Sequence, residues 1–229
     1  MTTRSIPWPR ILVEGVVIVG SILLAFGLQA WWEGRQEREE ERVLLASLLD
    51  EFEFNRQVLG ETANNHRRSS NGLEGLLRLP PGRLSISGDS IARLFRAAQI
   101  TPHYNASNGA MTATIGSGRI GLISNTALRD QLVGWDGVTS DLVLDEQTRR
   151  DFVVHQLRPA FATFGIPDGG EWVDQELADY DAALWSPEIR ALLTSQVRRL
   201  QHLRTAHYEP VEEAMRDLIR DLRAELSAR

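Results

Sequence analysis

Apolar side chains fill the chain almost without a break from Ile11 to Trp32, ILVEGVVIVGSILLAFGLQAWW, and beyond it they recur mostly at steps of three, four and seven. No charge interrupts the run between Gly15 and Trp32. As a helix it would be about 33 Å long, the thickness of a bilayer's hydrocarbon core. Trp8 precedes it and Trp31-Trp32 close it, where amphipathic rings favour the two membrane interfaces. The pattern predicts a tail over 1–10 and a single transmembrane helix over 11–32. A cleaved signal peptide would have a shorter apolar core ending in small residues, whereas bulky Trp31 follows Ala30. A buried soluble helix seldom runs this far without a charge.

Past the span, Glu33 to Arg42 reads EGRQEREEER, the signature of a solvated helix continuing outward. Leu44, Leu45, Leu48, Leu49, Phe52 and Leu59 then form one amphipathic stripe. Gly60 weakens it, 64–72 is polar, and Leu73, Leu76, Leu77 and Leu79 resume it before Pro80-Pro81-Gly82 stops it. The prediction is a helical stalk over 33–79, with interruptions near Gly60 or Gly72.

Residues 80–229 are expected to form a helical domain that packs with the stalk. Asp89 can cap a short helix carrying Ile91, Leu94, Phe95 and Ala98. Thr101 to Gly121 reads as loop with a helical turn around Met111. Asn125 or Ser124 starts a helix through Leu128, Leu132 and Trp135. With a break at Gly137, it resumes through Leu142, Phe152 and Leu157, bends at Pro159 and ends at Gly165-Ile166-Pro167. Asp168 to Asp181 reads as an acidic linker. Ser186-Pro187-Glu188 combines a capping hydroxyl, a first-turn proline and a first-turn acid. The final helix runs from Ile189 to Leu222, kinked at Pro210. Only Leu84 to Ser87 hints at a strand. The expected fold is all-α: one N-terminal transmembrane helix, a long helical stalk and an antiparallel helical bundle.

Composition narrows the function classes. The net charge of −6 over 229 residues gives no support to a nucleic-acid partner bound through a basic surface. Every basic residue is arginine, which reflects base composition rather than mechanism. The absence of cysteine removes disulfides, thiolate nucleophiles and cysteine-ligated metals. Arg4 and Arg10 flank the span on one side and Arg35, Arg38 and Arg42 on the other, so positive charge discriminates little between orientations. The expectation adopted is tail inside and domain outside, periplasmic in a bacterium.

Candidate chemistry is sparse. Gly116-Ser117-Gly118-Arg119-Ile120-Gly121 matches a dinucleotide fingerprint literally, yet lacks the strand and βαβ context that phosphate binding needs. Its glycines are read instead as allowing tight helix packing. None of the five histidines forms HExxH. On an α-helix His202 and His207 would point about 140° apart, so zinc is not expected. The acids between Asp168 and Asp181 lack calcium-loop spacing. No nucleophile elbow or readable carboxylate pair occurs, so neither an enzyme nor a cofactor is expected.

The span offers the one sharper hypothesis. Glu14 sits a turn into the apolar run, where charge is costly unless it snorkels, pairs or lines a polar path. Ser21, Ala25 and Gln29 share its face with Trp32, and Ser21 and Ala25 form a small-xxx-small pair that lets helices approach. The plain reading is packing at interface depth. The sharper one is a homo-oligomeric membrane contact with Glu14 hydrogen-bonded across it.

Two strings resemble a bacterial family of uncharacterised membrane-anchored helical proteins. One is Glu14-Gly15…Ile18-Val19-Gly20-Ser21-Ile22-Leu23-Leu24-Ala25…Trp32-Glu33-Gly34-Arg35, although the family opens with Gly-Glu where this chain has Glu14-Gly15. The other is Ile115 to Arg129, IGSGRIGLISNTALR, similar to the family's SG-x-hydrophobic-x-LI-x-N-x-x-LR signature. The resemblance implies a single-pass protein of the bacterial inner membrane, implies no activity, and makes the second string a structural helix start. The expected function is a non-enzymatic interaction or scaffold protein whose partners are the bilayer and either another protein or a second copy. The alternative is an ion- or proton-linked subunit in which Glu14 titrates.

Overall fold

The computed structural model describes residues 8–80, 87–168 and 179–228, with the side chains of 8–13, 15 and 16 left aside. The fold is all-α, with no strand among these residues. Residues 84–86 of the suggested strand and 169–178 of the suggested linker lie outside them, as do residues 1–7 and the side chain of Trp8. Ser87, the last residue of the suggested strand, is an N-cap.

Helix α1 runs unbroken from Trp8 to Arg78, about 106 Å at the α-helical rise. No proline occurs between Pro9 and Pro80, and neither Gly60 nor Gly72 interrupts the helix, contrary to the expected breaks. From Val17 to Glu33 every side chain is exposed. By length and composition, this is the one helix among the described residues that could cross a membrane.

Beyond residue 40 the same helix becomes the spine of a bundle. Apart from Leu44 and Gly72, which are buried beside them, its buried positions 41, 45, 48, 52, 55, 59, 62, 66, 69, 73 and 76 alternate steps of three and four, the seam that faces a partner helix. Five of them are polar: Glu41, Asn55, Thr62, His66 and Ser69. Glu41, placed by its charged neighbours in a solvated run, is buried because it accepts hydrogen bonds from the Ser124 amide (2.7 Å) and hydroxyl (2.9 Å). Glu51 accepts from the amides of Ala110 and Met111 at 2.7 and 3.0 Å. It thereby caps helix α3 (Gly109–Gly116), whose own N-cap side chain makes no such bond. Asn55 grips both backbone groups of Ser107 at 2.7 Å. The segment that reads as loop is thus fastened along α1 by α1's polar side chains.

Helix α2 (Gly88–Ala98) begins at Ser87, which caps it; Asp89, the expected cap, lies in its first turn. α2 crosses α1 where Gly72 and Gly75 leave room. A Cβ on Gly72 would stand 2.6 Å from the Ala97 Cβ and 3.0 Å from the Leu94 carbonyl. The glycines of the 116–121 string do no such work, since a Cβ at 116, 118 or 121 would meet nothing within 4 Å. Gly118 is needed for its backbone, at φ 73°, between α3 and the 3₁₀ turn Arg119–Leu122. Asn125 then caps helix α4 (Thr126–Phe152) through the Leu128 amide and donates to Glu225 at 3.0 Å. Gly137 does not break α4.

After short α5 (Arg158–Ala162) and α6 (Tyr180–Trp185, capped by Asp179), Ser186 starts α7 (Pro187–Leu203) as expected, and α8 (Glu209–Ser227) follows. Both expected proline bends take one form. Residues 153–157 before Pro159 and 204–208 before Pro210 are π turns. The residue preceding each proline donates five positions back, Arg158 to Val153 and Glu209 to Arg204. Widening the turn accommodates a ring that lacks an N–H and crowds the carbonyl four residues earlier.

Two apolar cores result. One joins Leu45, Leu48, Phe52 and Leu59 to Leu132, Trp135, Met215 and Leu222 near the exposed segment. The other joins Leu73 and Leu76 to Phe95, Phe161, Ile189 and Leu193 at the far end. They are separated by a polar belt.

Candidate functional site at the polar belt

The belt arises where apolar periodicity lapses on several elements together. On α1 the positions between Leu59 and Leu73 that face inward are Thr62, His66 and Ser69. On α4, between Leu142 and Phe152, they are Glu146 and Arg149. Tyr208 ends the second π turn. Glu146, only 3 % exposed, is the hub. Its Oε1 accepts from His66 Nε2 at 3.3 Å and from the Tyr208 hydroxyl. Its Oε2 accepts from His103 Nδ1 at 3.0 Å and the Tyr104 amide at 2.8 Å. An ionised carboxylate offers about four lone-pair sites, and all are filled.

Burial alone would raise the Glu146 carboxyl. Hydrogen bonds from His66, Tyr208 and the Tyr104 amide outweigh it and hold the group below its ordinary value. Burial lowers His66 against the opposing pull of Glu146, so the ring is neutral. It therefore donates through Nε2, and its Nδ1 lone pair is buried without a hydrogen-bond partner. Tyr208 is raised by burial and by Glu146, and stays a donor. Burial brings Arg149 down to about 10, so it remains charged at neutral pH and donates to the Ile100 carbonyl at 2.6 Å. Burial, with Glu146, pushes Tyr104 up to about 12.

Two cavities flank the belt. One of about 260 Å³ is lined by His66, Arg67, Glu74, Arg204 and Tyr208. The other, about 470 Å³, is lined by His103, Glu146, Gln147, Arg150 and His155. The His66–Glu146–His103 chain connects their walls. Four donors reaching it from four residues hold the Glu146 carboxylate in one orientation, facing the second cavity.

Beside the belt, Asp145 Oδ2 lies 2.9 Å from His207 Nε2 and 3.7 Å from His202 Nε2. The 140° expected between the two rings assumed uninterrupted α-helix. The intervening π turn takes back roughly 100° of rotation, and the rings meet edge to face with centroids 5.6 Å apart. These three residues could hold a metal ion.

The residues singled out on the span stand apart from all this. Glu14, Ser21, Ala25, Gln29, Trp31 and Trp32 are exposed on α1. The Ser21 hydroxyl donates to the Val17 carbonyl at 2.8 Å, and the Gln29 amide to Glu33 at 2.9 Å. Arg35 lies over the Trp31 ring, 6.0 Å from its centroid. Glu14 and His66 are 52 residues apart on one helix, roughly 78 Å. The belt and the Glu14 face are therefore separate sites.

No protein-family model matches the chain, and comparison with curated proteins and with solved structures finds no match.

Proposed function

We propose that the chain is a membrane-anchored helical interaction protein, crossing a bacterial inner membrane once through residues 11–32 and holding its bundle in the periplasm. The observation that carries this reading is the exposed end of α1. Ten large apolar side chains from Val17 to Trp32 are each between 49 % and 76 % exposed, on the helix that also forms the bundle's spine. Soluble monomers rarely leave a contiguous apolar surface of that size in water, whereas lipid is a good solvent for it. Only about nine residues separate Trp32 from the first buried seam position, which sets the bundle roughly 13 Å beyond the span.

The likeness to membrane-anchored helical proteins agrees with this arrangement. Glu41, six residues beyond the end of the first string, ties the second string to α1 through Ser124. The partner is another protein or a second copy, drawn together laterally by the Glu14–Ser21–Ala25–Gln29 face.

Differently tagged full-length chains, co-expressed and gently solubilised, test this. Co-purification of the second tag, or of a stoichiometric partner that survives stringent washing, is expected. Recovery of the tagged chain alone, with no crosslinked species above the monomer in intact membranes, would refute the interaction role.

A further inference from the structure

We propose that Asp145, His202 and His207 bind one divalent transition-metal ion, zinc before others, which clasps α4 to the junction of α7 and α8. The ligating atoms of all three lie within 4.8 Å of one another. Donors about 2.0–2.1 Å from a tetrahedral zinc stand roughly 3.3–3.4 Å apart, and the observed 2.9 and 3.7 Å bracket that spacing. His202 has a 66 % exposed side chain and Asp145 a 35 % exposed one, so small rotamer shifts complete the set. Two imidazoles and a carboxylate suit zinc and its neighbours in the first transition row, while calcium and magnesium take oxygen donors.

The π turn is what makes the site. It places His202 and His207 on one side of a helix whose α-helical continuation would hold them apart. It also links the site to the belt. Asp145 and Glu146 are consecutive on α4, and His207 and Tyr208 are consecutive on the turn. Asp145 pairs with His207 as Glu146 pairs with Tyr208, forming two adjacent rungs. The buried inner rung fixes the backbone on both sides, so the outer rung is preorganised before metal arrives. Three protein donors leave a fourth position to water. Neither cavity is lined by the three residues, so the ion acts as a clasp between helices rather than as a hydrolytic centre.

The full chain, purified in detergent and stripped with a chelator, is titrated with zinc by calorimetry and with cobalt(II) by visible absorption. One equivalent of zinc is expected, with a tetrahedral cobalt spectrum and a zinc-dependent rise in the thermal midpoint. Changing even a supporting residue of a metal site costs roughly 10- to 100-fold in affinity. Asp145→Ala, His202→Ala and His207→Ala should each weaken binding by at least that much and abolish the midpoint shift. His155→Ala, outside the triplet, should bind as the parent does. If His207→Ala fails to fold, His202→Ala decides, because its side chain is mostly exposed. The proposal is overturned if the parent shows no saturable binding, or if His202→Ala and His155→Ala bind alike, which would leave ordinary His–Asp contacts.

Discussion

Replacing Glu146 by leucine removes an acceptor that four donors share. His103, half exposed, can turn to water. The Tyr208 hydroxyl, His66 Nε2 and the Tyr104 amide cannot, because all three residues are buried. Each orphaned donor costs about 1–3 kcal/mol. The buried Arg149 also loses the favourable charge of Glu146, while leucine recovers some apolar burial and spares a carboxylate its desolvation. The net expectation is a loss of about 4 kcal/mol. For a chain of this size that lowers the unfolding midpoint by roughly 8–16 °C. Thermal unfolding of the full chain in detergent at neutral pH, followed by far-ultraviolet circular dichroism, reads the shift. Tyr208→Phe alone should cost about 2 kcal/mol, as loss of a bond to a charged acceptor does. The double variant should be less damaged than the two singles added together, because phenylalanine beside leucine orphans no hydroxyl. An E146L midpoint within about 2 °C of the parent, or strict additivity, would show that the belt is not the hydrogen-bonded hub described above.

The bundle's stability should fall with acid in two steps. His66 titrates below its unfolded value of 6.5 when folded, so the stability tied to its neutral form is complete above pH 6.5 and declines as pH falls below it. Glu146 is also lowered, from 4.5, so its contribution is lost as pH falls below that value towards its folded one. Stability against pH should lose the upper step in His66→Gln, and persistence of that step would assign it elsewhere. Gly60→Ala should stabilise the protein by about 1 kcal/mol through helix propensity. Gly72→Ala should destabilise it by about 1–3 kcal/mol, since backbone atoms of α2 cannot yield to a new Cβ; equal effects at the two sites would remove the close crossing. In the membrane, Glu14→Gln should leave partner capture intact, and loss of a proton-coupled activity in that variant would favour the alternative role instead. Ser21→Leu and Glu14→Leu should each reduce self-association in a membrane reporter if that face is the lateral contact, and parent-like signals would exclude it.

The helices were legible because leucine and phenylalanine recur at steps of three and four, and because Ser186-Pro187-Glu188 and Asn125 mark their starts. The belt was not, because an apolar count treats a polar residue in register as an interruption. Glu41, Asn55, Thr62, His66 and Ser69 keep the spacing of Leu45, Leu48, Phe52 and Leu59. Glu146 and Arg149 likewise extend the register of Leu132, Trp135 and Leu142. Following the register through polar positions would have found the hub. The His202–His207 meeting was hidden for another reason. It depends on a π turn that Pro210 imposes upstream of itself, and a helical wheel drawn at about 100° per residue cannot show it. The glycines of the 116–121 string were expected to allow close packing, whereas the close crossing is made by Gly72 and Gly75, within and just past a stretch that read simply as polar.

The central claim is that lipid surrounds residues 11–32 of the same helix that serves as the bundle's spine. The chain has no native cysteine, so single-cysteine variants in intact membranes test it cleanly with a membrane-impermeant maleimide. Leu23→Cys should stay unlabelled until detergent is added, while Arg38→Cys should label on one side of the membrane. Labelling of Leu23→Cys as fast as Arg38→Cys without detergent would contradict the account.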